Sequence, residues 1–130
     1  MKKWIVLFTL CVLVLIACSR QKPWIGTYML VVNDENRDVF NTFQQMNTPW
    51  PHVELFEDGK FTLIQPQHSG SGVYRVEGDK LIMTLTEYNG VPPLGNLAQS
   101  KTIETRENFM YILFEGPNNP PWIKLPDETQ

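Results

Sequence analysis

Residues 72–87 read GVYRVEGDKLIMTLTE, two runs rich in β-branched, aromatic and aliphatic residues around Gly78-Asp79. A two-residue loop of this kind between apolar runs predicts a β-hairpin. With Gly78 and Asp79 as the loop, Val76 faces Leu81, Tyr74 faces Met83 and Gly72 faces Leu85. The opposite face carries Glu77 with Lys80, Arg75 with Ile82 and Val73 with Thr84. One side is apolar and the other mostly polar, the alternation of a sheet with one wet face.

The same pattern repeats outward along the chain. Residues 52–56 and 60–65 flank Asp58-Gly59, and residues 101–106 and 109–115 flank Glu107-Asn108. With Asp58-Gly59 as a two-residue loop, Phe56, Phe61 and Leu63 share a face with Glu54, and Val53, Leu55 and Ile64 take the other. Residues 109–114 are apolar on both faces. Residues 24–32 (WIGTYMLVV) form a first strand, and residues 122–125 a short last one. Between the first two strands, Val39, Phe40, Phe43 and Met46 fall at helical spacing, which predicts one short helix over 36–46. Thr48-Pro49-Trp50-Pro51 ends it, because the residue before a proline avoids helical angles. Residues 89–99 are a Gly/Pro/Asn-rich connection. The expected fold class is all-β: a small antiparallel up-and-down β-barrel of about eight strands, with one short helix after strand one.

Trp24-Ile25-Gly26-Thr27-Tyr28 resembles the opening of lipocalins and fatty-acid-binding proteins, the calycin group. The stretches 55–61 and 72–81, and the echo between Gly26-Thr-Tyr28 and Gly72-Val-Tyr74, are similar to small bacterial lipocalin-like lipoproteins. The resemblance spans Trp24 to about Phe114. It implies a lipocalin-like barrel closed at one end by the strand-one aromatic. The second lipocalin motif, Thr-Asp-Tyr, is absent.

The N-terminus carries an address. Lys2 and Lys3 precede an apolar run from Trp4 to Ala17, too short for the roughly 20 residues of a spanning helix. Leu15-Ile16-Ala17-Cys18 resembles the lipobox of bacterial lipoproteins. That family implies a diacylglycerol on the Cys18 thiol, cleavage before Cys18 and acylation of the new N-terminus. The expected organisation is a signal peptide at 1–17, a lipidated cysteine and tether at 18–23, and a lipocalin-like barrel domain at 24–130. The expected location is extracytoplasmic, lipid-anchored to the cell membrane or outer membrane.

Loss of Lys2 and Lys3 with the signal takes the formal charge from −3 to −5. A mildly acidic chain lacks the basic face that nucleic acid requires, so no nucleic-acid partner is expected. With Cys11 in the signal and Cys18 lipidated, no disulfide, thiol nucleophile or cysteine metal site is expected. His52 and His68 lack metal-site spacing and read as surface histidines. Glu54, Glu57 and Asp58 read as a solvated hairpin end. No G-x-S-x-G, phosphate loop or zinc-hydrolase motif occurs, so the chain reads as a non-enzyme without a cofactor or metal.

Binding is the remaining class. Trp24, Tyr28, Tyr74, Met83, Leu85, Ile112 and Phe114 are placed to line or fill a barrel interior. Trp50 and Trp122, beside prolines 49, 51, 120 and 121, are expected at one end of the barrel with at least one partly exposed. Trp24, Tyr28, Tyr74, Met83, Trp50 and Trp122 are therefore the candidate ligand-binding residues. The leading expectation is a module for a small apolar or amphipathic molecule. The alternative is an envelope protein-interaction module, an inhibitor or assembly factor, with a filled barrel.

Overall fold

A computed structural model describes residues 22–126. The signal segment 1–17 and Cys18 lie outside the described residues. Eight antiparallel strands close into a barrel: β1 (Gly26–Leu30), β2 (His52–Leu55), β3 (Lys60–Gln65), β4 (His68–Glu77), β5 (Lys80–Tyr88), β6 (Lys101–Arg106), β7 (Tyr111–Leu113) and β8 (Trp122–Lys124). Each strand pairs with its sequence neighbours, and β8 closes on β1. A single helix, α1 (Arg37–Gln45), lies between β1 and β2. Closure leaves no free sheet edge, so the apolar strand β7 is an interior barrel strand.

The β4–β5 hairpin has the predicted pairs: Glu77 with Lys80, Val76 with Leu81, Tyr74 with Met83 and Gly72 with Leu85. Its turn needs only two residues because Gly78 takes φ +65°, which matches the strand twist. Leu81 and Met83 are buried and belong to the core. Met83→Ala is expected to cost about 2–5 kcal/mol as a buried large-to-small change. Thr84, on the outer face, bonds only Ser100, and Thr84→Ala should stay within about 0.5 kcal/mol. Urea melts that reverse this order would invert the assigned faces.

The β2–β3 hairpin corrects the expected faces. Leu55 pairs with Phe61 and Val53 with Leu63, one residue away from the two-residue-loop register. Gly59 takes φ +84° and its amide donates to Phe56 O, while the Phe56 amide donates to Lys60 O. The result is a three-residue loop, a turn followed by a left-handed residue. The slip turns Val53, Leu55, Phe61 and Leu63 all inward, where all four are buried, and leaves Phe56 outside.

The β6–β7 connection is also longer than expected. Arg106 pairs with Tyr111, so residues 107–110 form the loop. Glu107, Asn108 and Phe109 all have positive φ. That costs about 1–2 kcal/mol for each residue with a side chain, and the compensation is burial of the Phe109 ring. The strand β1 is shorter than the predicted 24–32 run, because Trp24 leaves the ladder to close the barrel end.

The expected helix is present, one residue shorter at each end. None of its residues is buried. Phe40 and Phe43 pack edge-on against Trp50 at 5.2 Å each, and Val39 and Met46 point to solvent. At its start, Asn33 and Asn36 exchange amide-to-side-chain bonds, 2.7 and 3.0 Å. Nine residues are too few for a helix to stand alone in water, so α1 depends on Trp50.

Candidate functional site

The two ends of the barrel differ, and the difference defines the site. At the end where the chain enters β1, the short turns β2–β3, β4–β5 and β6–β7 converge. There Trp24 packs edge-on against Phe109 with centroids 5.4 Å apart. Tyr28 donates its hydroxyl to Trp24 O at 3.0 Å, Tyr74 donates to Phe56 O, and Lys124 Nζ donates to Pro23 O at 2.8 Å. Aromatic rings and satisfied hydroxyls seal this end.

Burial raises the Tyr28 phenol well above its ordinary value of 10, and Tyr74 beside it adds to the rise. Tyr74 is shifted the same way, by burial first. The fold therefore holds these phenolic protons more tightly than the unfolded chain does. Their contribution to stability is complete below about pH 10 and is lost as the pH climbs above it. Tyr28→Phe should flatten this alkaline loss in urea midpoints taken from pH 9 to 11.5. A variant with the same pH dependence as the parent would contradict the assignment.

The other end carries the longer connections: α1 and its flanks, residues 89–100 and residues 114–121. It is open. A cavity of about 150 Å³ lies here, with Phe61, Leu63, Met83, Leu85, Ile103 and Phe114 as its apolar wall. Gln65, Tyr88, Leu97, Gln99 and Lys101 complete the lining. Phe61, Leu63 and Gln65 alternate along β3, so all three point inward.

Two local features build the mouth. The β4–β5 register shifts between Ser71 and Gly72: Gly72 faces Leu85, but Ser71 faces Glu87. The extra residue reverses the alternation and turns Tyr88 inward. Tyr88 then stacks on His68, with its hydroxyl 2.8 Å from His68 Nδ1. Beyond it, Asn89 and Gly90 both have positive φ and make a two-residue turn between Tyr88 and Val91. The connection then folds into a short 3-10 turn, Gly95–Ala98, that brings Leu97 to the cavity.

The six residues singled out by sequence are not brought together. Met83 lines the cavity. Trp24 and Tyr74 belong to the sealed end, and Tyr28 is fully buried beside them. Trp50 and Trp122 do meet at the open end, through Leu30: Leu30 pairs with Trp122, and the Trp50 indole N–H donates to Leu30 O at 2.8 Å. Trp50 is half-buried under α1, whereas Trp122 is 0% exposed and packs against Phe114 with ring centroids 5.2 Å apart and planes tilted by 39°. The interior residues Leu85 and Phe114 also reach the cavity. The residues that reasoning from sequence passed over are Phe61, Leu63 and Ile103, together with the polar rim. The signal that could have found the first two was the alternative three-residue loop at Asp58-Gly59.

The two histidines lie apart from one another in role. His52 Nδ1 is 2.8 Å from Trp50 O, and His68 rests on Tyr88. Asp58 accepts the Lys60 amide at 3.0 Å, a turn-stabilising bond. Among the described residues, no three His, Cys, Asp or Glu side chains converge. Among them, too, no helix is long and apolar enough to cross a membrane.

No known protein family, curated protein or solved structure matches the chain.

Proposed function

We propose that this chain is an extracytoplasmic, membrane-anchored lipoprotein, lipidated at Cys18, whose lipocalin-like barrel binds a small apolar or amphipathic molecule. It acts by binding and not by catalysis. One observation carries the reading: the apolar cavity of about 150 Å³ at the open end, with a polar rim. Ligand pockets for drug-sized molecules begin near 300 Å³, so the occupant is smaller. An apolar space of this size holds a body of about six carbon atoms.

The anchor reading rests on the Leu15–Cys18 run and fits the polarity of the barrel. The chain enters at the sealed end, beside Trp24 and Pro23. The four residue steps from Cys18 to Lys22 span at most about 14 Å. An acyl group on Cys18 would hold the sealed end near the bilayer and aim the mouth away from it.

A second reading, an envelope protein-interaction module, is favoured by a different observation. Leu94 is 83% exposed and Val91 59% in the 89–100 connection, and Met46 is 69% exposed at the end of α1. These connections join β5 to β6 and β1 to β2, on opposite sides of the mouth. Apolar side chains at such a rim suit a protein partner.

Native mass spectrometry of the protein purified from its own host tests the leading reading. A discrete small-molecule adduct that added hexanol displaces is expected. A spectrum free of adducts, with no uptake of added hexanol, would favour the filled-barrel alternative. The anchor is tested separately: Cys18→Ala should abolish acylation and cleavage. A Cys18→Ala protein still acylated and still cut before position 18 would refute it.

A further inference from the structure

The cavity wall is uncharged except at one place. Of the described residues that line it, Lys101 alone carries a formal charge. Lys101 opens β6 and pairs directly with Met83, itself buried in the cavity wall. Directly opposed residues share a face of the sheet, so Lys101 belongs to the inward face, one step above the buried Ile103. A lysine on that face at the mouth places its stem along apolar surface and its ammonium at the rim.

Among the described residues, no carboxylate forms an ion pair with Lys101. The ion pair among them is Arg75 with Glu77, on the outer wall. The other polar residues of the lining are Gln99 and Gln65, which offer amides, and Tyr88, whose hydroxyl is held by His68. The site thus combines an apolar space for about six carbons, one cation without an ion-pair partner among the described residues, and amide groups in the same lining.

We propose that the ligand is a short-chain amphiphile with a single anionic head, its chain of about six carbons in the cavity and its head at Lys101. This rests on the binding reading above and narrows it. The size follows from the cavity, and the sign of the head from the lysine. Because the ammonium is at the rim, the anion stays partly hydrated while it gains the attraction of the lysine. Such an exposed attraction is screened by salt, whereas burial of the chain is not.

Three probes of equal chain length separate the terms: hexanoate, hexanol and hexylammonium, titrated calorimetrically into the purified protein. Hexanoate is expected to bind about tenfold more tightly than hexanol, and hexylammonium more weakly than either. Raising salt should weaken hexanoate and leave hexanol unchanged. Lys101→Met should weaken hexanoate at least fivefold without weakening hexanol, and Lys101→Arg should keep the order. Hexanol binding as tightly as hexanoate would overturn the anionic head and leave the cavity reading standing. Hexanoate binding unaffected by Lys101→Met would do the same. Failure of all three probes to bind the parent protein would overturn the cavity reading and this inference together.

Discussion

Gly72→Ala is expected to destabilise the barrel by about 3 kcal/mol or more, the largest effect of any single methyl group in the chain. Gly72 is buried on the inner face of β4, opposite Leu85 and Phe61. A Cβ there would lie 2.0 Å from Thr84 O and 2.9 Å from Phe61 Cε1. The first of these atoms is backbone in the adjoining strand and can retreat only by breaking the β4–β5 ladder. Overpacking a core commonly costs about 1–3 kcal/mol, and a clash with backbone belongs at or above the top of that range. The site also holds the register shift that turns Tyr88 toward the cavity, so the variant should lose ligand binding even where it folds. Gly78→Ala is the control. Nothing lies within 4 Å of its Cβ position, so it bears only the cost of its left-handed backbone, about 1–2 kcal/mol. Urea unfolding midpoints decide; equal costs for the two variants would contradict the close approach at Gly72.

Trp122→Ala is expected to cost about 3–5 kcal/mol, the range for removing a large aromatic from a core. Trp122 is fully buried, opposes Ile112 on β7 and packs against the tilted ring of Phe114. Its indole Nε1 has no hydrogen-bond partner among the described residues. A buried donor left unpaired costs about 1–3 kcal/mol, so Trp122→Phe should be much milder than Trp122→Ala: the lost volume is offset by removal of the orphan N–H. Trp50→Ala should fall below Trp122→Ala, because Trp50 is half-buried and holds α1 to the barrel without entering it. Its loss should appear as faster amide exchange in residues 37–45, with the strands unchanged. Trp50→Ala costing more than Trp122→Ala would reverse the roles assigned to the two rings.

The fold was legible where turn chemistry left one solution. Gly78-Asp79 admits a two-residue loop, and every pair from Glu77–Lys80 to Gly72–Leu85 follows from it. Asp58-Gly59 admits two solutions. A two-residue loop and a three-residue loop with Gly59 left-handed differ by one residue of register. The choice was settled by burial, since only the second turns Val53, Leu55, Phe61 and Leu63 inward together. At Glu107–Phe109 local preference was overridden outright, because the Phe109 ring is needed to close the end against Trp24.

The site was less legible than the fold. A strand pattern tells which side chains point inward. It does not tell whether they meet or leave a space, because that depends on their packing across the barrel. Trp122, Tyr28 and Ile112 belong to the packed core alone, while Phe61, Leu63, Met83 and Ile103, from the same core, also line the cavity. Lys101 was hidden for a simpler reason. A lysine at the first residue of a strand reads as surface until its partner, Met83, is known to be buried.

The central claim is that the barrel is sealed at the end where the chain enters and receives a small apolar chain at the other. Methionine reports both ends. Met83 lines the cavity, Met110 is exposed in the loop that follows the sealing Phe109, and Met46 sits at the end of α1. Methyl-¹³C methionine NMR of the protein titrated with hexanol reads all three at once. The Met83 signal should shift saturably, with the Met110 signal unmoved. A titration in which Met83 stays fixed, or in which Met110 shifts as far as Met83, would contradict the account.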